Sequence, residues 1–225
     1  MVLFNYATKE ITAKVVYYGP GLCGKTTNLQ FIYDSLPSNN KSKMLSLATK
    51  TDRTLFFDFL PLDLGKIRGM RTKLQLYTVP GQVYYNSTRQ LVLKGADGIV
   101  FVADSQDFAL DANLESLQNL EDNLKRQGVR LREMPLVIQY NKRDLPEAVA
   151  MADVDRFDDP GRTLFEAAAK HGVGVVETFF ALVGRAWEFL DADRRLSQRF
   201  GLDSTTFQSA LAEHIGVTEP GKITG

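Results

Sequence analysis

The sequence predicts an α/β fold, a doubly wound and mostly parallel sheet with helices on both faces. Three observations carry that prediction. A strand-length run, a polar or glycine-rich loop and a helical stretch recur along the chain. Residues 98–103 (GIVFVA) and 136–140 (LVIQY) are apolar throughout, as parallel strands covered on both faces should be. The intervening segments place leucines at helical spacing. The length of 225 residues and a hydrophobic share of 44% suffice for one large core and exclude dominant disorder.

The elements follow in order. Residues 11–19 (ITAKVVYYG) are β-branched and aromatic, and they run into a glycine-rich turn and a helix over about 25–35. Residues 55–61 (LFFDFLP) read as a strand with Leu55, Phe57 and Phe59 on one face and Phe56, Asp58 and Leu60 on the other. Both faces are largely apolar, so the alternation that pins register is weak, and the strand reads as a bistable element. Residues 71–79 alternate strictly, with Thr72, Leu74 and Leu76 on one face. Leu114, Leu117, Leu120 and Leu124 mark a helix over 113–124. The linker 153–161 shows little helical character, and 163–168 is a weaker strand. Val176, Phe179, Phe180, Val183, Trp187 and Leu190 form a helical stripe over 175–190, which 191–199 continues as a charged helix. A short helix around 205–215 and a tail follow. The expected division is one domain over 1–195 and a C-terminal helical extension over 196–225, dispensable for ligand binding because every motif precedes Gly174.

Charge and composition exclude several classes. Lys+Arg and Asp+Glu both number 27, so there is no basic excess to hold nucleic acid. The single cysteine, Cys23, cannot form an internal disulfide. No run approaches the ~20 apolar residues of a membrane span. The N-terminus has no secretory pattern, position 2 is Val and no prenylation cysteine ends the chain. The expectation is a cytoplasmic protein without a direct membrane anchor.

Four segments carry chemistry. Residues 19–26 (GPGLCGKT) match G-x-x-x-x-G-K-[ST] immediately after a strand and at the start of a helix. The loop's backbone N–H groups and the helix N-terminus favour phosphate oxygens. Gly19, Gly21, Leu22, Cys23, Gly24, Lys25, Thr26 and Thr27 are the expected phosphate contacts, with Lys25 reaching the β- and γ-phosphates and Thr26 ligating Mg²⁺. Residues 141–144 (NKRD) follow a buried strand, the placement of the guanine-reading signature of P-loop GTPases. The Asp144 carboxylate can accept both N1–H and N2–H₂ of guanine, and adenine offers neither donor there. Asn141 would read the opposite edge, and Lys142 would lie along the ring. In residues 78–82 (TVPGQ), the Gly81 N–H is a candidate for the γ-phosphate and Gln82 for orienting the attacking water. In residues 49–54 (TKTDRT), Thr54 is the candidate Mg²⁺ ligand of a switch, and Arg53 a candidate arginine finger supplied within the chain. Ala168, Ala169 and Lys170 stand where a last guanine-contact loop would lie. The Ala169 N–H is placed to meet guanine O6, and His171 reads as an exposed loop residue.

Together GPGLCGKTTNL, TDRTLFFDFLP, TVPGQ and QYNKRDLP resemble the MglA family of bacterial Ras-like GTPases, over about residues 5–190. The resemblance implies a Ras-like P-loop NTPase fold that binds GTP and GDP with Mg²⁺ and hydrolyses GTP, with Arg53 and Gln82 as the hydrolytic pair. It also implies movement of the 55–61 strand between nucleotide states. The implied activator is an MglB-like roadblock-domain homodimer that repositions the switches without adding a finger. The implied role is control of cell polarity and motility through polarity effectors that the sequence does not name, with recruitment to a cell pole by partners. One departure stands out. Most such GTPases have D-x-x-G-Q, whose Asp orients the metal's water, and this chain has Thr78. That departure opens a second reading, a nucleotide-gated binding scaffold with negligible hydrolysis. A P-loop kinase would leave NKRD without a role.

Overall fold

The computed structural model describes residues 3–5, 8–38, 40, 43–47, 57–151 and 163–217. Among these, eight strands form one sheet. They are β1 (Leu3–Asn5), β2 (Glu10–Tyr18), β3 (Leu45–Leu47), β4 (Phe57–Ile67), β5 (Met70–Thr78), β6 (Gly98–Asp104), β7 (Leu136–Asn141) and β8 (Thr163–Glu166). The helices are α1 (Lys25–Ser35), α2 (Asn86–Leu93), α3 (Leu110–Arg126), α4 (Val175–Arg194), α5 (Leu196–Phe200) and α6 (Ser204–Ile215). The sheet order is β3-β4-β5-β2-β6-β7-β8, with β1 antiparallel to the start of β2. The ladders from β5 through β2, β6 and β7 to β8 are parallel, and β3–β4 and β4–β5 are antiparallel.

Alternation along β2 divides the core into two layers, because successive side chains point to opposite faces. Ile11, Ala13, Val15 and Tyr17 join Leu29 and Ile32 of α1 and the stripe of α4 on one face. Val16 and Tyr18 join Val92 and Leu93 of α2 and Leu120 and Leu124 of α3 on the other. Every residue of β6 and β7 is buried, as expected of strands covered on both sides. The alternating face of β5 buries Thr72, Leu74 and Leu76 as read.

Three expectations change. The described part of the 55–61 strand starts at Phe57 and continues to Ile67, then turns at Arg68 and Gly69 into β5; Leu55 and Phe56 lie outside the described residues, as does the 153–161 linker. The 163–168 strand ends at Glu166. The charged 191–199 helix is broken at Arg195, which adopts φ 53, ψ 47. The break has a local cause. The Asp191 carboxylate accepts the Ser197 N–H and hydroxyl at 2.7 and 2.5 Å, capping a new helix start, while Leu196 turns into the core.

That turn brings α6 back against the body. Phe207 stacks on Trp187 with centroids 4.1 Å apart, and Leu211, Ala212 and Ile215 join the same core as β2 and α4. The described part of the extension is therefore packed into the core.

Candidate functional site

A cleft of about 460 Å³ opens at the carboxyl ends of β2 and β5, where ligands of open α/β sheets bind. Gly21, Leu22, Gly24, Lys25, Thr26, Thr27, Gly81 and Gln82 all line it. Gly19 and Cys23 are buried and do not line it. Lys25 is buried, and its Nζ donates to the carbonyls of Gly19 and Pro20 at 3.1 and 2.5 Å. Burial pushes the Lys25 ammonium below its ordinary value, and the nearby Arg89 guanidinium pushes the same way. Leu22 takes φ 61 and is 92% exposed at the cleft mouth.

The TVPG loop lies directly on the phosphate loop. A Cβ on Gly81 would fall 2.3 Å from the Gly21 Cα, so no larger residue fits there without moving one loop. Behind the contact sits Arg89, fully buried on α2. Its guanidinium donates to Pro80 O at 2.8 Å, Gly19 O at 3.3 Å, Gly81 O, and Asn119 Oδ1 at 2.9 Å, and it lies over the Tyr18 ring. One side chain thus ties both loops to α3.

Asn141 has a different role from the one its motif suggests. Both ends of its amide are engaged: Nδ2 donates to Cys23 O at 2.8 Å and Oδ1 accepts the Ala169 N–H at 2.8 Å. It is 3% exposed and acts as a strut joining three loops, with the second Nδ2 hydrogen still free of these two bonds. The Ala169 N–H, expected at guanine O6, is directed at this strut. The junction also explains Gly24, whose φ is 102 and where an added Cβ would fall 2.2 Å from Asn141 Nδ2. Ala168 donates its N–H to Val173 O at 3.0 Å and leads into the short 3₁₀ turn Ala169–His171 that contains Lys170. Lys142 takes φ 69 and its Nζ donates to Asp104 Oδ2 at 2.6 Å and Gln106 Oε1 at 3.2 Å. The Asp144 carboxylate lies 3.3 Å from Nε2 of the exposed His171.

Arg53 and Thr54 lie outside the described residues. Of the two expected metal ligands, Thr26 is therefore the one whose surroundings are visible, and they contain a residue the motifs did not single out. Asp58 on β4 is buried, and it accepts from Thr26 Oγ1 at 2.6 Å, Thr78 Oγ1 at 2.9 Å and Ser46 Oγ at 2.8 Å. The signal was present in LFFDFLP: one carboxylate on an otherwise apolar strand face. Hydroxyl and carboxylate oxygens at the mouth of a phosphate loop fit Mg²⁺, a hard cation that takes oxygen ligands.

The Ras family model matches residues 14–188. The chain belongs to the Ras family. Within it, the chain is similar to the mutual gliding-motility protein MglA of Myxococcus xanthus, 56% identical over 183 residues that cover 81% of this chain and 94% of that protein. It is more distantly similar to the Ras-related protein Rab-7b of Bos taurus, 33% identical over 51% of this chain and 57% of that protein. The Ras-related protein RAB1BV of Beta vulgaris is 27% identical over 73% of this chain and 71% of its own length. An MglA-like Ras-family member is thus a Ras-like GTP-binding protein. Among the described residues, no helix is long and apolar enough to cross a membrane.

Proposed function

We propose that this chain is a molecular switch of cell polarity and motility that binds GTP and GDP with Mg²⁺ and hydrolyses GTP. The observation that carries the reading is the Asn141 junction, which fastens the phosphate loop and the 168–170 loop to the NKRD strand end at bonds of 2.8 Å. Phosphate binding and base reading are thereby held in one rigid frame, and that coupling is of use only to a ligand carrying both groups. The similarity to a gliding-motility protein supports the motility assignment.

Each residue then has a task. The 21–27 backbone, Lys25 and the α1 N-terminus hold the phosphates, and Thr26 and Thr54 hold the metal. Mg²⁺, when bound, neutralises charge developing on the transferring phosphoryl group. Asp144 selects guanine. Gln82, exposed at the cleft rim, orients water, and Arg53 supplies the guanidinium that contributes about 10³–10⁵ in rate when in place. Both act only when a partner holds them against the phosphates, so turnover by the isolated chain is slow. The activating partner is an MglB-like roadblock-domain dimer docking around the cleft mouth, where Leu22 and Tyr84 stand exposed. The chain is held in the cytoplasm and brought to a pole by its partners.

Single-turnover GTP hydrolysis with and without such a partner tests the assignment. Arg53→Ala and Gln82→Ala should each abolish stimulated turnover while GTP affinity stays nearly unchanged. Stimulation that survives Arg53→Ala would show that the finger comes from the partner. Absence of stimulation in the wild type would favour the scaffold reading that Thr78 suggests.

A further inference from the structure

We propose that Asp58 is the carboxylate that orients the Mg²⁺ ligand Thr26, the task having moved from β5, where Thr78 stands, to the neighbouring strand β4. The inference rests on the preceding reading that the cleft takes a guanine nucleotide with Mg²⁺.

The geometry is that of a built site. Asp58 is 7% exposed and lies on the inner face of β4 with Leu60 and Leu62. A buried carboxylate is costly unless it is satisfied. Among the described residues no lysine or arginine forms a salt bridge with it; three hydroxyls satisfy it instead. Thr26 Oγ1 and Thr78 Oγ1 donate to Oδ2, and Ser46 Oγ donates to Oδ1. An ionised carboxylate has about four acceptor positions. Three are filled, and the residue lines the cleft, so acceptor capacity remains on the cleft side for a metal-bound water.

The Thr26 contact fixes the direction of a proton. A hydroxyl has one hydrogen and two lone pairs. With the hydrogen committed to Asp58 at 2.6 Å, what Thr26 offers elsewhere is lone pairs, and a hard cation requires those. Such outer partners orient metal ligands and raise their basicity.

Thr78 completes the exchange of roles. Its hydroxyl donates to the Asp58 carboxylate and accepts the Asp58 N–H at 2.8 Å, locking that side chain against its own backbone. The two residues face one another one step beyond the Phe59↔Tyr77 pair of the antiparallel β4–β5 ladder. A carboxylate on β4 with a threonine on β5 is therefore the mirror arrangement of the usual carboxylate on β5.

The test is the Mg²⁺ dependence of GDP release, which needs no hydrolysis. The full chain is loaded with a fluorescent GDP analogue, and release is followed across a Mg²⁺ titration and in excess EDTA. Asp58→Asn keeps the shape of the side chain and removes its charge. It should raise the Mg²⁺ midpoint by about 10–100-fold and leave the release rate in EDTA unchanged. The exchanged variant Asp58→Thr/Thr78→Asp should return the midpoint to within a few-fold of wild type. A wild-type midpoint in Asp58→Asn would overturn the proposal. So would release faster by the same factor with and without Mg²⁺, which marks a merely structural residue. If Asp58→Asn does not fold, the exchanged variant decides: a folded protein whose midpoint stays raised overturns the proposal. A wild-type chain that binds no GDP would defeat the nucleotide reading itself, a result distinct from all of these.

Discussion

At the scale of single residues, the side chains that organise the site are ones without a motif. Arg89 and Asp58 are both buried charges, and neither is paired with an opposite charge among the described residues. Arg89 is satisfied by carbonyls and an amide, Asp58 by hydroxyls. Removing the guanidinium would leave Pro80 O, Gly81 O, Gly19 O and Asn119 short of donors in a dry environment. Each unsatisfied group costs about 1–3 kcal/mol, though Gly81 and Gly19 can partly recover water from the cleft. Arg89→Met should therefore lose about 3 kcal/mol of stability, and Arg89→Lys should lose a comparable amount because an ammonium cannot span four acceptors in a plane. Urea unfolding measures both, and a loss under about 0.5 kcal/mol, the ordinary range for a surface site, would show that the loop contacts are not anchored there.

At the scale of elements, legibility in the sequence followed hydrophobic pattern. β2, β5, β6, β7 and α4 bury residues that their apolar pattern announces, so their positions could be read directly, and α1 was placed by the phosphate loop before it. α2 could not be read, because the face it buries includes Thr88 and Arg89 beside Val92 and Leu93, while Leu91 points outward. β3, three residues long, has too little pattern to read. The GPGLCGKT, NKRD and TVPGQ motifs were legible because the chemistry proposed for them demands fixed residues at fixed spacing. Asp58 was visible as an oddity, and its purpose depends on a partner strand that only the fold supplies. The same carboxylate answers the question of register. With both faces of β4 apolar, a two-residue slip would cost little packing, yet it would carry Asp58 away from Thr26, Thr78 and Ser46.

The extension shows the same dependence on the fold. Its helix α6 was legible, but its integration was not, since the turn at Arg195 leaves no mark in the pattern. Phe207 is buried against Trp187, the one tryptophan of the chain. Phe207→Ala should cost about 3–5 kcal/mol and red-shift Trp187 emission; an unchanged spectrum and midpoint would mean α6 is not docked in solution. A pH response is also expected from α6. Burial pushes the His214 imidazole below its ordinary range, with Asp63 opposing, and Nε2 has no hydrogen-bond partner among the described residues. The unfolded chain takes up a proton near pH 6.5 that the folded chain still refuses. Stability should be full above about pH 6.5 and fall as pH drops from there through the lower folded value. His214→Gln should flatten that part of a thermal-midpoint profile, and an identical slope in the variant would assign the response elsewhere.

At the scale of the molecule, two packed layers hold a sheet whose carboxyl edge presents every predicted motif that the described residues include. Arg89 ties the phosphate loop to the TVPG loop and Asn141 ties it to the 168–170 loop, an arrangement that suits the proposed ligand, which carries both phosphate and base. On the proposed reading base choice falls to Asp144, and a site built to satisfy one hydrogen-bond pattern rejects analogues lacking it by about 10⁴ or more. Equilibrium competition against a bound fluorescent GDP, with GTP, ATP and xanthosine triphosphate in Mg²⁺, measures this directly on wild type and Asp144→Asn. GTP should compete in the wild type and ATP should fail by that factor, while Asp144→Asn should lose GTP by about 1.5–3 kcal/mol and gain xanthosine triphosphate. Competition by ATP as effective as by GTP, or GTP binding untouched by Asp144→Asn, would contradict the account of this chain as a guanine-nucleotide switch.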